Sequence, residues 1–206
     1  METSDHIAKL RVIGGDVALD FVNTVDGEPG GETEFDHLRD YGDLVAWGRR
    51  VGLLSEGSAR RLLQEAEEQP SEAEATYART LLLRDALYEI FGAVARKEHP
   101  PEHSLELLRR EECAVLARAR LVPKGEGYAW EWPDDGDVGR VLSPVVHAAV
   151  ELLTSGPLDR VKACAGCHWL FVDESKNRSR RWCTMEVCGT NEKVRRYLAR
   201  RAAGRG

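Results

Sequence analysis

Four of the five cysteines in this 206-residue chain fall within 25 residues near the C-terminus. They read Cys164-Ala165-Gly166-Cys167, then fifteen residues, then Cys183-Thr184-Met185-Glu186-Val187-Cys188, a C-x2-C-x15-C-x4-C spacing. Each close pair closes a small chelate ring and the longer loop joins the halves, which is what a tetrahedral zinc site needs. Two disulfides are the alternative, and they require an oxidising compartment. The N-terminal Met1-Glu2-Thr3-Ser4-Asp5 has no apolar signal region, and no apolar run approaches the roughly 18 residues of a membrane span. A cytoplasmic location among reduced thiols is therefore expected, and with it zinc held by Cys164, Cys167, Cys183 and Cys188. Four sulfurs fill a tetrahedron and leave no open position, so the expected zinc is structural and His168 is at most a substitute ligand.

The net charge of −6 hides a division. From Arg160 onward 12 Lys+Arg face four acids, a formal +8, which leaves −14 on residues 1–159. Four thiolates and one zinc ion would bring the tail to +6. A basic segment beside an acidic one suggests a polyanionic partner, or else docking of the tail on the body.

Residues 7–13 alternate well enough for a short strand. Residues 16–25 fit either period, and a helix capped by Asp16 is the favoured reading. Asp26 to Gly31 reads as a loop. Helices are expected from Leu38 to near Gly52, from a Ser55 cap to Glu68, and from a Ser71/Glu74 capping box through Val94. The last has a broad stripe of Tyr77, Leu81, Leu82, Ala86, Leu87, Ile90, Phe91 and Val94 and should lie centrally. Residues 104–118 form another helix with Leu105, Leu108, Cys113 and Leu116 inward, Cys113 acting as a small hydrophobe. A hairpin around Pro123-Lys124-Gly125-Glu126 and a helix over 138–153, with His147 packed beside its stripe, complete the body.

Val161–Cys167 and His168–Val172 read as a β-knuckle, with Trp169 and Phe171 shielding the metal and Gly166 giving the turn its freedom. After a basic loop, Thr190 would cap a helix from Asn191 to about Arg201, with Val194, Tyr197 and Leu198 inward. The expected fold is α+β: a mainly helical body with a small β-hairpin over residues 1–156. A small treble-clef-like zinc module, knuckle plus helix, follows over 157–206. About 45 residues of low apolar content need such a staple.

The cations expected to meet phosphate are Arg178, Arg180 and Arg181 on the loop and Lys193, Arg195, Arg196, Arg200 and Arg201 on the helix. About five phosphate contacts would give a log–log salt slope near −4 to −5. Asp20 and Asn23 are polar groups within an apolar stretch, read either as bonded to nearby backbone or as part of a ligand pocket.

The pattern Cys164-x2-Cys167-x-Trp169-Leu170-Phe171-x-Asp173-x-Ser175-x-Asn177-Arg178-x2-Arg181-Trp182-Cys183-x4-Cys188-Gly189, then Lys193-Val194-Arg195, resembles the CGNR zinc finger family. Leu19-Asp20-Phe21-Val22-Asn23-Thr24-Val25 and Asp43-Leu44-x2-Trp47 resemble the ABATE domain that precedes it. The resemblance implies a bacterial stress-linked transcriptional regulator, with a ligand-sensing body and a zinc-dependent DNA-binding tail. Cys188-Gly189-Thr190-Asn191 departs from the family's Cys-Gly-Asn-Arg, so any DNA contact of that Arg does not carry over. The leading expectation is a DNA-binding regulator, not an enzyme, whose body senses a ligand or forms a homodimer. The alternative is a ligand-binding or protein-interaction module in which zinc is only a clamp.

Overall fold

The computed structural model describes residues 5–29 and 33–203. The chain opens with α1 (Asp5–Lys9) where alternation suggests a strand. Ile7 and Leu10, three apart, are the buried pair. A strand would have placed Lys9 and Arg11 on the face of Ile7, so the helix is the only period that buries apolar groups alone. Asp16 then caps α2 (Val17–Val22), accepting from the Ala18 N–H at 2.8 Å. The run expected as a loop supplies β1 (Val25–Gly27), which pairs antiparallel with β2 (Thr33–Asp36) through a bulge at Asp26/Gly27. The rest of that loop, Gly30 and Gly31, lies outside the described residues.

Next come α3 (Tyr41–Arg50), capped by Asp40, and α4 (Glu56–Glu68), capped by Ser55 through the Ser58 N–H at 3.0 Å. Replacing Ser55 with Ala should cost about 1 kcal/mol. In a chain of this size that is a fall of about 2–4 °C in Tm, readable by calorimetry.

The longest helix, α5 (Pro70–Arg96), begins a residue before the Ser71/Glu74 box, with Pro70 in its first turn and no side-chain cap. Proline's missing N–H is harmless there and its φ is already helical, so it sets the start instead. Leu83, Leu87, Ile90 and Phe91 are fully buried, but Leu82 is mainly exposed. Polar residues take the remaining inward positions: Thr76, Thr80 and Arg84 are buried on the same helix. The Arg84 guanidinium grips both Asp36 oxygens at 2.7 and 2.5 Å and donates to Thr24 Oγ1 at 3.1 Å, tying the β1–β2 ribbon to α5. A buried cation is tolerable only with such partners.

The same logic corrects the face of α6 (Glu102–Arg118). Cys113 and Leu105 are exposed, and the buried row is Ser104, Leu108, Glu112 and Val115. Ser104 bonds Glu89, and Glu112 pairs through Oε1 with His147 Nδ1 at 2.7 Å, so both polar side chains enter the interface with a partner, while Glu112 Oε2 is buried without one among the described residues. β3 (Arg120–Lys124) and β4 (Gly127–Glu131) form the hairpin. A 3₁₀ turn (Val138–Leu142) leads into α7 (Ser143–Ser155), which packs on α2 and α6. The architecture is thus mainly helical with small antiparallel strand pairs. No described helix is long and apolar enough to cross a membrane.

After Gly156 the chain makes β5 (Val161–Ala163) and β6 (Leu170–Val172), then a π turn (Met185–Gly189) running into α8 (Thr190–Ala203). The hydrophobic core does not divide at Gly156. One buried cluster extends from Ile7 and Leu19 through Trp47, Leu87 and Val146 to Leu170, Phe171, Cys183 and Cys188.

Candidate metal centre and its basic flank

β5 and β6 pair antiparallel with Val161 opposite Val172, and the Cys164 N–H closes the knuckle on the Trp169 carbonyl at 2.8 Å. Gly166 sits where an added Cβ would approach the Cys188 Cβ to 3.1 Å, so the knuckle's small residue lets the second cysteine pair come close. That pair is set by Thr184, whose hydroxyl accepts from the Val187 N–H at 3.3 Å and caps the π turn carrying Cys188. Thr184, not Thr190, is the cap. Thr190 lies inside the continuous helix and donates to the Met185 carbonyl at 3.0 Å.

The four sulfurs lie within 4.8 Å of one another, with Cys183–Cys188 at 3.5 Å and Cys167–Cys183 at 3.6 Å. A tetrahedral tetrathiolate centre with metal–sulfur bonds of about 2.3 Å separates its sulfurs by about 3.8 Å, so the set fits such an ion. The cysteines are unbridged, and their spacing is far beyond an S–S bond of about 2.05 Å. The N–H groups of Cys183 and Gly166 point at Cys164 Sγ from 3.2 and 3.4 Å. Hydrogen bonds from Cys167, Cys183 and these backbone groups hold the Cys164 thiol well below its ordinary range, while hydrogen bonding to Cys164 and Cys183, with burial, pushes Cys167 up. Four ionised sulfurs this close are stable only around a cation. His168 is not among the ligands: its ring stacks on Tyr88 at 3.8 Å, and burial lowers its pKa.

The finger is fastened to the body by the segment 13–27. Asn23 spends both ends of its amide on Leu170, donating to its carbonyl and accepting from its N–H, each at 2.8 Å. Trp169 Nε1 donates to the Val25 carbonyl at 2.9 Å, and the His168 N–H to Gly27 at 2.9 Å. The Val172 N–H donates to the Gly14 carbonyl at 2.8 Å. Asp20 shapes the turn that offers that carbonyl, its Oδ1 accepting from the N–H of Ile13 and Gly14 at 2.8 and 2.7 Å. Burial nevertheless raises the Asp20 pKa. Gly15, at φ +78°, passes so close to β6 that an added Cβ would lie 3.3 Å from the Val172 Cβ. The two residues considered for a ligand pocket are thus turned to the fold. Asn23 joins body to finger across 147 positions of sequence, and neither it nor Asp20 lines the cleft beside the cysteines. That cleft, of about 520 Å³, is bordered by Lys9, Arg11, Asp26, His37, Cys167 and Asn191.

The basic loop has an organiser that the sequence reading passed over. Asp173 is fully buried, pairs with Lys162 Nζ at 2.6 Å, and accepts from the N–H of Ser175 and Arg180 at 2.9 and 3.0 Å. Burial alone would raise its pKa, but Lys162 and the Ser175 and Arg180 donors hold it well below the carboxylate range. Lys162 also reaches the Arg178 carbonyl at 2.5 Å, and Arg160 donates to the Asp173 carbonyl at 2.8 Å. The visible signal was one acid followed by x-Ser within a basic stretch, the pattern of a side chain bonding its own backbone two residues on.

The eight cations therefore differ. Arg180 lies over the Phe171 ring at 4.3 Å and donates to the Trp182 and Cys183 carbonyls, so it braces the metal loop. Arg178 takes a left-handed backbone (φ 50°) and pairs with Asp159. Arg195 and Arg196 share Glu192. Arg181, Lys193 and Arg200 are exposed and have no carboxylate partner among the described residues, and Arg201 touches only the Tyr197 ring and hydroxyl. Val194, Tyr197 and Leu198, expected inward, are all more than half exposed. α8 packs chiefly on the π turn that precedes it, so among the described residues its apolar stripe stays mainly uncovered.

A helical body joined through one core to a four-cysteine finger that continues into a cationic helix is a metal-binding, finger-bearing architecture. Residues 15–156 match the ABATE family, described as "Putative stress-induced transcription regulator", and residues 160–201 match the CGNR zinc finger. The chain belongs to the ABATE family and carries a C-terminal CGNR zinc finger. No curated protein matches it.

Proposed function

We propose that this is a zinc-containing, non-enzymatic regulator of the cytoplasm that binds DNA through the exposed cations of its finger. The observation that carries the reading is a group of solvated cations with no carboxylate partner among the described residues: Arg181 on the metal loop, and Lys193, Arg200 and Arg201 on α8, which packs on the π turn before it. Zinc is the ion of choice because four thiolates in a closed tetrahedron suit it and leave no site for water. Its work is to fix the loop and start α8. The family matches, one to a regulator domain and one to a zinc finger, support the same reading.

With about four phosphate contacts, affinity for duplex DNA should fall with a log–log salt slope near −3.6. Fluorescence anisotropy of zinc-loaded protein on genomic fragments measures this. The double variant Lys193→Ala/Arg200→Ala should reduce the slope by about 2 without changing thermal stability. Binding that ignores salt, or is untouched by the double variant, would count against the DNA reading.

The clasp around Asn23 favours a second reading, in which the finger serves the body as a clamp and the adjoining cleft takes a small ligand. Sensing and DNA binding are compatible, since Asn191 at the start of α8 borders that cleft.

A further inference from the structure

The β3–β4 hairpin presents several apolar groups to solvent side by side. Leu121 pairs across the strands with Trp130, and Pro123 with Tyr128, so these four share one face. Leu121 is 59% and Tyr128 74% exposed, and Trp130 meets the body edge-on at His147, 6.1 Å between ring centroids. An isolated two-stranded hairpin is marginal in water. This one bears an aromatic face that the described residues meet only at its Trp130 end.

Its backbone says where a partner would add. The two-residue turn at Gly125-Glu126 makes Lys124 and Gly127 a hydrogen-bonded pair. Alternation along the ladder then turns the backbone polar groups of Leu121 and Pro123 outward on β3, and those of Tyr128 and Trp130 outward on β4. Pro123 has no N–H, which blunts the β3 edge. On β4 both outward residues keep donor and acceptor, and none of these groups is hydrogen-bonded to the described backbone.

The geometry points to a homodimer in which β4 pairs antiparallel with β4 of a second copy across a two-fold axis at Ala129. This register sets Tyr128 against Trp130 of the second copy as a hydrogen-bonded pair, twice, and Ala129 against Ala129 as the intervening non-hydrogen-bonded pair. The four-stranded sheet then carries rows Leu121–Trp130–Tyr128–Pro123 on one face, two strands from each copy. On the other face Val122–Ala129–Ala129–Val122 is flanked by Arg120–Glu131–Gly127–Lys124. Each Glu131 stands beside Arg120, with Lys124 of the second copy beyond Gly127 in the same row, and no like charges fall directly opposite each other on adjacent strands. Aromatic cross-strand pairs and the absence of such repulsion favour this register over its neighbours. A one-residue slip would turn the aromatic groups to the opposite face.

Light scattering of the zinc-loaded chain over about 1–100 μM, the range for a small interface, should show mass rising toward a dimer. The rise should persist at high salt, since the contacts are backbone and apolar. Tyr128→Pro repeats on β4 what Pro123 does on β3, and should leave a folded monomer with unchanged circular dichroism. Ala129→Cys in a Cys113→Ser background should cross-link under oxidised glutathione, because non-hydrogen-bonded partners lie about 4.5 Å apart at Cα. Leu82→Cys in the same background, an exposed position elsewhere, should not. The proposal is overturned by a monomer at every concentration, by a dimer that high salt dissolves, by a dimer that Tyr128→Pro leaves intact, or by equal cross-linking at positions 129 and 82.

Discussion

Stripping the metal from the intact chain is expected to lower the melting temperature of the whole molecule by roughly 10 °C or more, as a shift of one transition. Small zinc modules gain of order 10 kcal/mol from their ion. Here β5 and β6 are also held by the body, so a smaller loss, about 4 kcal/mol, is expected, at about 2–4 °C per kcal/mol. The loss reaches the body because Cys164, Cys183 and Cys188 are buried in the same cluster as Phe21, Trp47 and Leu87. Without a cation the four thiols cannot all ionise, and the knuckle that presents Leu170 and Phe171 to the core loses its closure. Calorimetry before and after chelation checks this. A small early transition, with the main one unmoved, would mean that the finger is an independent appendage.

The second large effect is expected at Asn23. Replacing it with Ala removes both bonds to Leu170 and leaves a buried N–H and a buried C=O unpaired, at about 1–3 kcal/mol each. The total, about 2–6 kcal/mol, should be seen in urea titration as a lower midpoint with little change in slope. Zinc should also leave the variant faster in a chelator competition, because the strand beside Cys164 and Cys167 has lost its anchor. Arg200→Ala is the control. It is solvated on α8 and should change neither stability nor metal release.

The cysteine quartet and Asn23 also mark what the sequence makes legible. The cysteine quartet was legible because chelation imposes its own short spacing, and the structure brings together the four sulfurs that the spacing selects. The body's helices were legible from their apolar period and from caps such as Asp16 and Ser55. Asn23 was noticed as a polar group among apolar ones, but its partner lies 147 positions away and no local pattern points to Leu170. Periodicity also tells which residues share a face, not what covers it. Val194, Tyr197 and Leu198 do share a face, yet the described residues leave it mainly exposed. On α6 the stripe was misplaced because two buried polar residues, Ser104 and Glu112, find partners and displace Leu105 and Cys113 outward. Among the cations, composition could not separate Arg180, which braces the loop over Phe171, from Arg181 and Lys193, which face solvent.

The regulator reading gains from this arrangement a physical link between its parts. A finger whose strand is bonded to residues 14–27 cannot swing freely, and whatever alters the body near Asp26 and His37 changes the cleft against the metal loop. A ligand there would bias the presentation of α8 only through differential contacts with two such arrangements.

The claim beneath all of this is that β6 belongs to the body's core. Native-state hydrogen exchange of the zinc-loaded chain under a rising urea series tests it most directly, with the amides of Leu170 and Val172 compared with those of Leu87 and Phe91 in α5. The account predicts that both sets open with the same free energy, merging into one global unfolding. It would be contradicted if Leu170 and Val172 exchanged through a separate, lower-energy opening while Leu87 and Phe91 stayed protected.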